Sequence, residues 1–316
     1  MAKQVLTQLI IGEPLVNIPV VPVNLVNSEA GALKTQLNLV NAGGGPGAGS
    51  AIDFHTYDVA GGIEPGARVA AFDDNFSAFL GFYTKNPGAA TNPINERMRI
   101  TSTGQLAIGS TAPSSVAKVQ IDSTTQGFLP PRMTSAQRLA IATPPQGLCV
   151  YDITLNALCF YSGAYWAFET NLNTTAIQTT TLNTYANITE LVTQPLEAGL
   201  YAIRFRGLGQ STVLATGYGL RLAVGTATIS EVAINWTFTQ AGAGTDKDFE
   251  YQQISLADNI TSASVVTANA NFAAHGDGVF RVSVAGTVAI QIRSENNGTG
   301  VSIRPNSTVI FKKVGT

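Results

Sequence analysis

In run after run of this 316-residue chain, large apolar residues recur at every second position, with polar residues between them. Tyr201, Ile203 and Phe205 alternate with Arg204 and Arg206; Tyr218, Leu220, Leu222 and Val224 flank Arg221; Ile234, Trp236 and Phe238 flank Asn235 and Thr237. A period of two sends successive side chains to opposite faces of an extended strand, so each run reads as a half-buried strand of an antiparallel sheet. Further runs at 186–192, 249–256, 279–284, 288–293, 301–304 and 309–314 are spaced by turns rich in Gly and Asn. About eight strands or slightly more, without a helix, predict an antiparallel jelly roll or related sandwich over residues 173–316.

The region 36–125 carries shorter runs, at 36–40, 51–59, 67–73, 76–84, 97–102 and 105–109. In AIDFHTYDV, Ile52, Phe54, Thr56 and Asp58 share one face and Asp53, His55, Tyr57 and Val59 the other. Each face holds few large apolar groups, too few for one chain to build a core, whereas identical copies that pool such faces form a fibrous β-stalk. A homotrimer is therefore expected.

Residues 1–35 form an arm whose apolar run VNIPVVPVNLV cannot be helical, because Pro19 and Pro22 interrupt the hydrogen-bond ladder. Residues 126–172 read as a connector. Pro130 and Pro131 are extended, Thr134 or Ser135 caps about two helical turns in AQRLAIA, and Pro144 and Pro145 stop them. LCVYDI and ALCFYS then form a hairpin about 154–156, closed by Tyr165 and Trp166. Cys149 and Cys159 stand near-symmetrically about Thr154, either as buried thiols or as a late-formed disulfide.

Charged residues are 12% of the chain, with 18 Lys and Arg against 20 Asp and Glu. That share is about half the usual one. The densest basic group is Arg97, Arg99 and Arg68, which is no nucleic-acid footprint. The first residues fit neither a signal peptide nor a membrane span, so membrane insertion is not expected and folding in a reducing cytoplasm is. AGGGPGAGS lacks the Lys-Ser/Thr of a phosphate loop. Of the two histidines, His55 has no catalytic signature and His275 reads as part of a turn. The acidic pairs Asp73/Asp74 and Asp246/Asp248 lack calcium-loop spacing. Residues 36–125 are too short for the long β-helix on which glycan-degrading fibres carry their carboxylates. No catalytic residue, metal or cofactor is expected, and the sequons at Asn187, Asn235 and Asn306 are read as chance.

Residues 96–115, ERMRITSTGQLAIGSTAPSS, resemble the ERMRI-(T/S)-x-x-G-x-(V/L)-x-I-G-(T/S) signature of bacteriophage tail-fibre and related virion fibre proteins. Its apolar Met98, Ile100, Leu106 and Ile108 turn inward, with Gly104 and Gly109 supplying the turns of a fold-closing hairpin. Residues 127–169, with GFLPPRMT at their head, are similar to the connector that follows such stalks. GLYAIRFRG and the run from Gly286 to Val314 resemble C1q/TNF-like trimeric jelly rolls. A collagen-like Gly-X-Y stalk and a cleavable chaperone domain are missing, so self-processing is not expected.

The resemblance implies a non-enzymatic, all-β homotrimeric fibre of a virion assembled in the host cytoplasm. The arm would dock on other virion proteins, and the tip would meet a bacterial surface saccharide or protein. The alternative is a capsid fibre or decoration protein without a dedicated receptor. Loop position makes Tyr218, Asp246, Lys247, Asn296 and Asn297 the receptor candidates. Arg97 and Arg99, pairing with Glu96 and with Asp73 or Asp74 of a neighbouring copy, are candidates for setting trimer register.

Overall fold

The structure, a computed structural model, describes residues 39–41, 43, 45–55, 64–214, 216–242, 245–258 and 268–316, with backbone alone for 239–242 and 245–249. The expected arm at 1–35, part of the strand at 36–40 and the second half of that at 51–59 lie outside the described residues. The chain is all-β, with one five-residue helix among the described residues. It divides into two compact units, Met1–Phe128 and Leu129–Thr316.

The first unit is a six-stranded sheet whose strands follow chain order: β1 (Gly49–Phe54), β2 (Ala67–Asp73), β3 (Ala78–Lys85), β4 (Ile94–Ile100), β5 (Leu106–Ile108) and β6 (Val119–Ile121). The first four pairings are antiparallel, and β4 and β5 form the expected hairpin about Gly104, which has φ +76. Positive φ is the conformation in which a side chain is disfavoured and Gly is not. β6 then returns parallel to β5, a pairing that three residues, Val-Gln-Ile, were too short to announce.

The second unit begins with β7 (Arg132–Met133) and α1 (Ser135–Leu139). The Thr134 hydroxyl accepts from the Gln137 N–H, while the Gln137 side chain accepts from the Thr134 N–H, a reciprocal cap that starts the helix. β8 (Cys149–Asp152), β9 (Ala157–Tyr161) and β10 (Trp166–Ala167) complete a four-stranded sheet in the order β10-β9-β8-β7. The remaining strands are β11 (Glu169–Asn173), β12 (Gln178–Thr180), β13 (Ala186–Val192), β14 (Gly199–Ser211), β15 (Tyr218–Val224), β16 (Thr228–Gly242), β17 (Thr245–Gln253), β18 (Phe272–Val284), β19 (Val288–Ser294), β20 (Val301–Ile303) and β21 (Thr308–Gly315).

These form a large sheet, β11-β21-β14-β18-β16-β17 with β12 and β20 attached, and a small one, β13-β19-β15. Tyr201, Phe205, Trp236, Phe280 and Phe311 of the first share one core with Leu191, Leu220, Leu222 and Ile290 of the second. The two sheets are clipped by Gln253, which is fully buried. Its Oε1 accepts from the Leu222 N–H (2.9 Å) and Trp236 Nε1 (3.1 Å), and its Nε2 donates to the Leu222 carbonyl (2.8 Å). Val150, Cys159, Trp166 and Phe168 belong to the same core, so the hairpin connector is continuous with the sandwich.

The turn expected about His275 is instead the interior of β18, where His275 lies opposite Arg206 and Thr237. Gly276 is there because the Trp236 ring occupies the place of a side chain, 2.7 Å from where a Cβ would sit. Gly278 is there because a Cβ would overlap the Ala233 carbonyl oxygen. Both are close-approach glycines of a strand.

Candidate functional site

Strand direction gives the second unit two distinct ends. At one, β14 and β16 finish and β18 begins, with Gly209 opposite Phe272 and Phe238 opposite Ala274. β15 begins and β19 finishes there too, with Tyr218 opposite Ser294 and its ring 5.5 Å from that of Phe238. At the other end the connector is fastened. Tyr165 Oη donates to the Val314 carbonyl (2.7 Å), and Glu197 joins Lys313 (3.0 Å) to Arg138. The first end is therefore the one remote from the connector.

The receptor candidates gather toward that remote end, in different settings. Asn296 and Asn297 sit in an exposed turn after β19. Asn296 Nδ2 donates to Thr216 Oγ1 (3.1 Å), and its carbonyl accepts from Ser294 Oγ (2.8 Å). Glu295 closes the neighbouring loop by accepting from the Gly217 N–H (2.8 Å). Asp246 and Lys247, expected in a loop, lie within β17 opposite Ala241 and Gln240, near where β17 begins; their side chains are outside the description.

Tyr218 is corrected from loop contact to core residue. It is 0% exposed, packs edge-on against Phe238, and occupies the space a side chain on Gly209 would fill. Burial raises its phenol pKa well above the ordinary value. The room for the ring comes from Gly209 on β14, remote from the ATGYG run that suggested an exposed loop.

Arg99 and Arg97 find partners within their own chain. Arg99 meets Glu96 through two nitrogens at 2.5 and 2.7 Å and donates to the Thr111 carbonyl (2.8 Å). The Glu96 hydrogen bond, ahead of the opposing cost of burial, raises the Arg99 pKa. Arg97 donates to Thr84 Oγ1 (3.0 Å) and Asn86 Oδ1 (2.5 Å). Asp73 accepts N–H groups from Gly45 (3.3 Å) and Phe76 (3.1 Å).

At the connector end stands an ionic cluster that sequence reasoning missed. Arg138 and Asp152 are both fully buried, with Arg138 Nε donating to Asp152 (2.8 Å) and a second guanidinium nitrogen bonding Glu197. Ser135 Oγ (2.8 Å) and the N–H groups of Thr154 (2.9 Å) and Leu155 (3.0 Å) also donate to Asp152. Burial opposes the Asp152 charge, but Arg138 and these donors outweigh it and hold the carboxyl below its ordinary value. For Arg138, burial again opposes the charge, and bonds to Asp152 and Glu197 reverse the balance and raise its pKa. Nothing within AQRLAIA marks the Arg for burial, because its partners lie 14 and 59 residues away.

The hairpin also settles the cysteines. Cys149 lies opposite Phe160 and Val150 opposite Cys159, so the two thiols point to opposite faces and are free. A one-residue offset is enough to do this, because the side-chain period is two. Cys159 is buried, and burial pushes its thiol up to about 12. The outward face carries Cys149, Tyr151, Leu158 and Phe160, of which Leu158 and Phe160 are about half exposed, at 52% and 49%.

Among the described residues no three His, Cys, Asp or Glu side chains converge as metal ligands, and no helix is long and apolar enough to cross a membrane. Residues 107–185, from β5 through the connector to the loop after β12, match the family described as a phage tail like trimerisation region. No curated protein matches the chain. A solved structure of infectious bursal disease virus, Gx strain, aligns over 88% of this chain and 82% of its own at 10% identity, with a TM-score of 0.14. The family match supports a phage tail-type trimeric structural protein and, with it, a virion component.

Proposed function

We propose that the chain is a non-enzymatic tail fibre of a bacteriophage virion that works as a homotrimer. In this reading residues 1–35 dock on other virion proteins. The end of the C-terminal β unit remote from the connector meets the bacterial surface. The observation that carries the reading is the trimerisation match at 107–185, over a segment whose hairpin turns Leu158 and Phe160 outward. Half-exposed large apolar side chains on a sheet face are what a homomeric contact buries.

The tip surface suits shallow contact with a saccharide or a protein. Asn296 and Asn297 lie in a short exposed turn, and Asp246 and Lys247 stand near the start of β17 toward the same end of the unit. Three weak copies of such a site gain affinity from simultaneous engagement, by about 10²-fold or more. The test is adsorption of the purified full chain to susceptible cells and its competition with intact phage. Loss of both is expected for the Lys247→Ala, Asn296→Ala, Asn297→Ala triple variant. A well-folded trimer that neither adsorbs nor competes would point to the capsid-fibre or decoration reading.

A further inference from the structure

The sheet of the first unit has two faces of opposite character. On one, Tyr83 Oη donates to Glu96 (2.9 Å), the Arg99 guanidinium lies 4.1 Å over the Phe79 ring, and Phe79 stacks on Phe72 (5.3 Å). These side chains lie across the strands and bury Ala70 and Ala107, exposed by only 2% and 0%. Gly81 belongs to this arrangement, since the Tyr83 ring passes 2.6 Å from the position of its absent Cβ. This face is closed by its own residues.

The other face is aliphatic across the sheet. Register aligns Leu80, Ile100, Leu106 and Val119 in one row over β3, β4, β5 and β6. A second row aligns Phe82, Met98, Ile108 and Ile121, and extends through Val69 to Ile52 on β1. No charged residue interrupts either row. Ile52, Leu80, Ile100, Ile108, Val119 and Ile121 are exposed by 37–57%, and among the described residues no second layer covers them. A two-layer domain would bury such a face against its own chain.

Resting on the homotrimer reading, we propose that this face, centred on Ile100 and Ile108, packs against the same face of two further copies of the chain to make an aliphatic core about a three-fold axis. Continuity favours identical copies as the occupant. The trimerisation match begins at residue 107, so Ile108, Val119 and Ile121 lie within it and on this face. Aliphatic rows without hydrogen-bonding groups also suit a protein face and not a saccharide.

The experiment uses the full chain with Cys149→Ser, Cys159 being buried. Mass in solution is measured for the parent and for Ile100→Asp with Ile121→Asp, which places like charges together in three copies. Dissociation is expected to become easier by about 10²-fold or more. Ile100→Cys treated with a short bismaleimide is expected to give a covalent dimer, and Ala51→Cys, on the opposite face, to give none. If the Asp variant fails to fold, this cross-linking comparison decides. A trimer unchanged by the Asp pair, with no cross-linking at either position, overturns the assignment of the face and leaves the trimer standing. A monomeric parent overturns both. Shielding of Ile100→Cys that disappears on removal of residues 1–35, without cross-linking between chains, assigns the face to the chain's own arm and overturns the proposal.

Discussion

The two glycines of the ERMRITSTGQLAIG stretch carry φ values that are almost the same, +76 at Gly104 and +74 at Gly109, yet their replacement should have unequal effects. Moving an L-residue into this region costs about 1–2 kcal/mol at either position. At Gly104 a Cβ would meet only the far end of Lys118, 3.1 Å away, which can swing aside. At Gly109 it would overlap the backbone carbonyl oxygen of Asp122. That residue is tied by its own N–H to the Ile108 carbonyl at 2.9 Å, at the end of the β5–β6 ladder. Relief requires the end of β6 to move and that hydrogen bond to weaken, adding roughly 1–2 kcal/mol. Gly109→Ala should therefore lose about 2–4 kcal/mol per chain and Gly104→Ala about 1–2. Denaturant melts of both variants at one protein concentration, with amide exchange at Val119 to Asp122, would measure the difference. A Gly104→Ala variant as unstable as Gly109→Ala, or unaltered exchange in β6 of the latter, would refute the steric reasoning.

Replacing Arg138 by Met leaves Asp152 buried without its main partner and should cost about 3–5 kcal/mol in a denaturant melt. The Asp152 carboxyl titrates lower in the folded chain than its ordinary 3.8, so its contribution is complete above that pH and is lost as pH falls through the folded value. Melting temperature should accordingly drop on acidification below about pH 4, and less steeply in Asp152→Asn. Gln253→Leu strands Trp236 Nε1 and both backbone groups of Leu222, and should lose about 2–4 kcal/mol together with the native tryptophan fluorescence. Cys159, buried and with its thiol held neutral, should react with thiol reagents only after unfolding, as timed labelling with mass detection would show.

The repeat of two in Tyr201-Ile203-Phe205 and Ile234-Trp236-Phe238 was enough to mark strands and to say which side chains face inward, because alternation is a property of one strand by itself. The Thr134 cap and the Gly104 turn were readable for the same reason, each being decided within a few residues of chain. Pairing is decided elsewhere. That β11 borders β21 and that Arg138 meets Glu197 depend on segments brought together from far along the chain, and that β6 runs parallel to β5 is a property of the pair and not of either short strand. His275 was misread because a Gly flanked by polar residues looks alike whether it permits a turn or, as Gly276 does, makes room for a neighbouring ring, and Tyr218 because the glycine that makes room for it, Gly209, lies on another strand. Cys149 and Cys159 show the finest case: their spacing about Thr154 suggested a facing pair, and a register offset of one residue sends the two thiols to opposite faces. Sequence alone determined the all-β class and the long alternating runs that form strands, since these follow from local alternation and turn chemistry. Only the tertiary structure decided which faces are covered and which lie bare, since covering a face requires residues remote in the chain to pack against it.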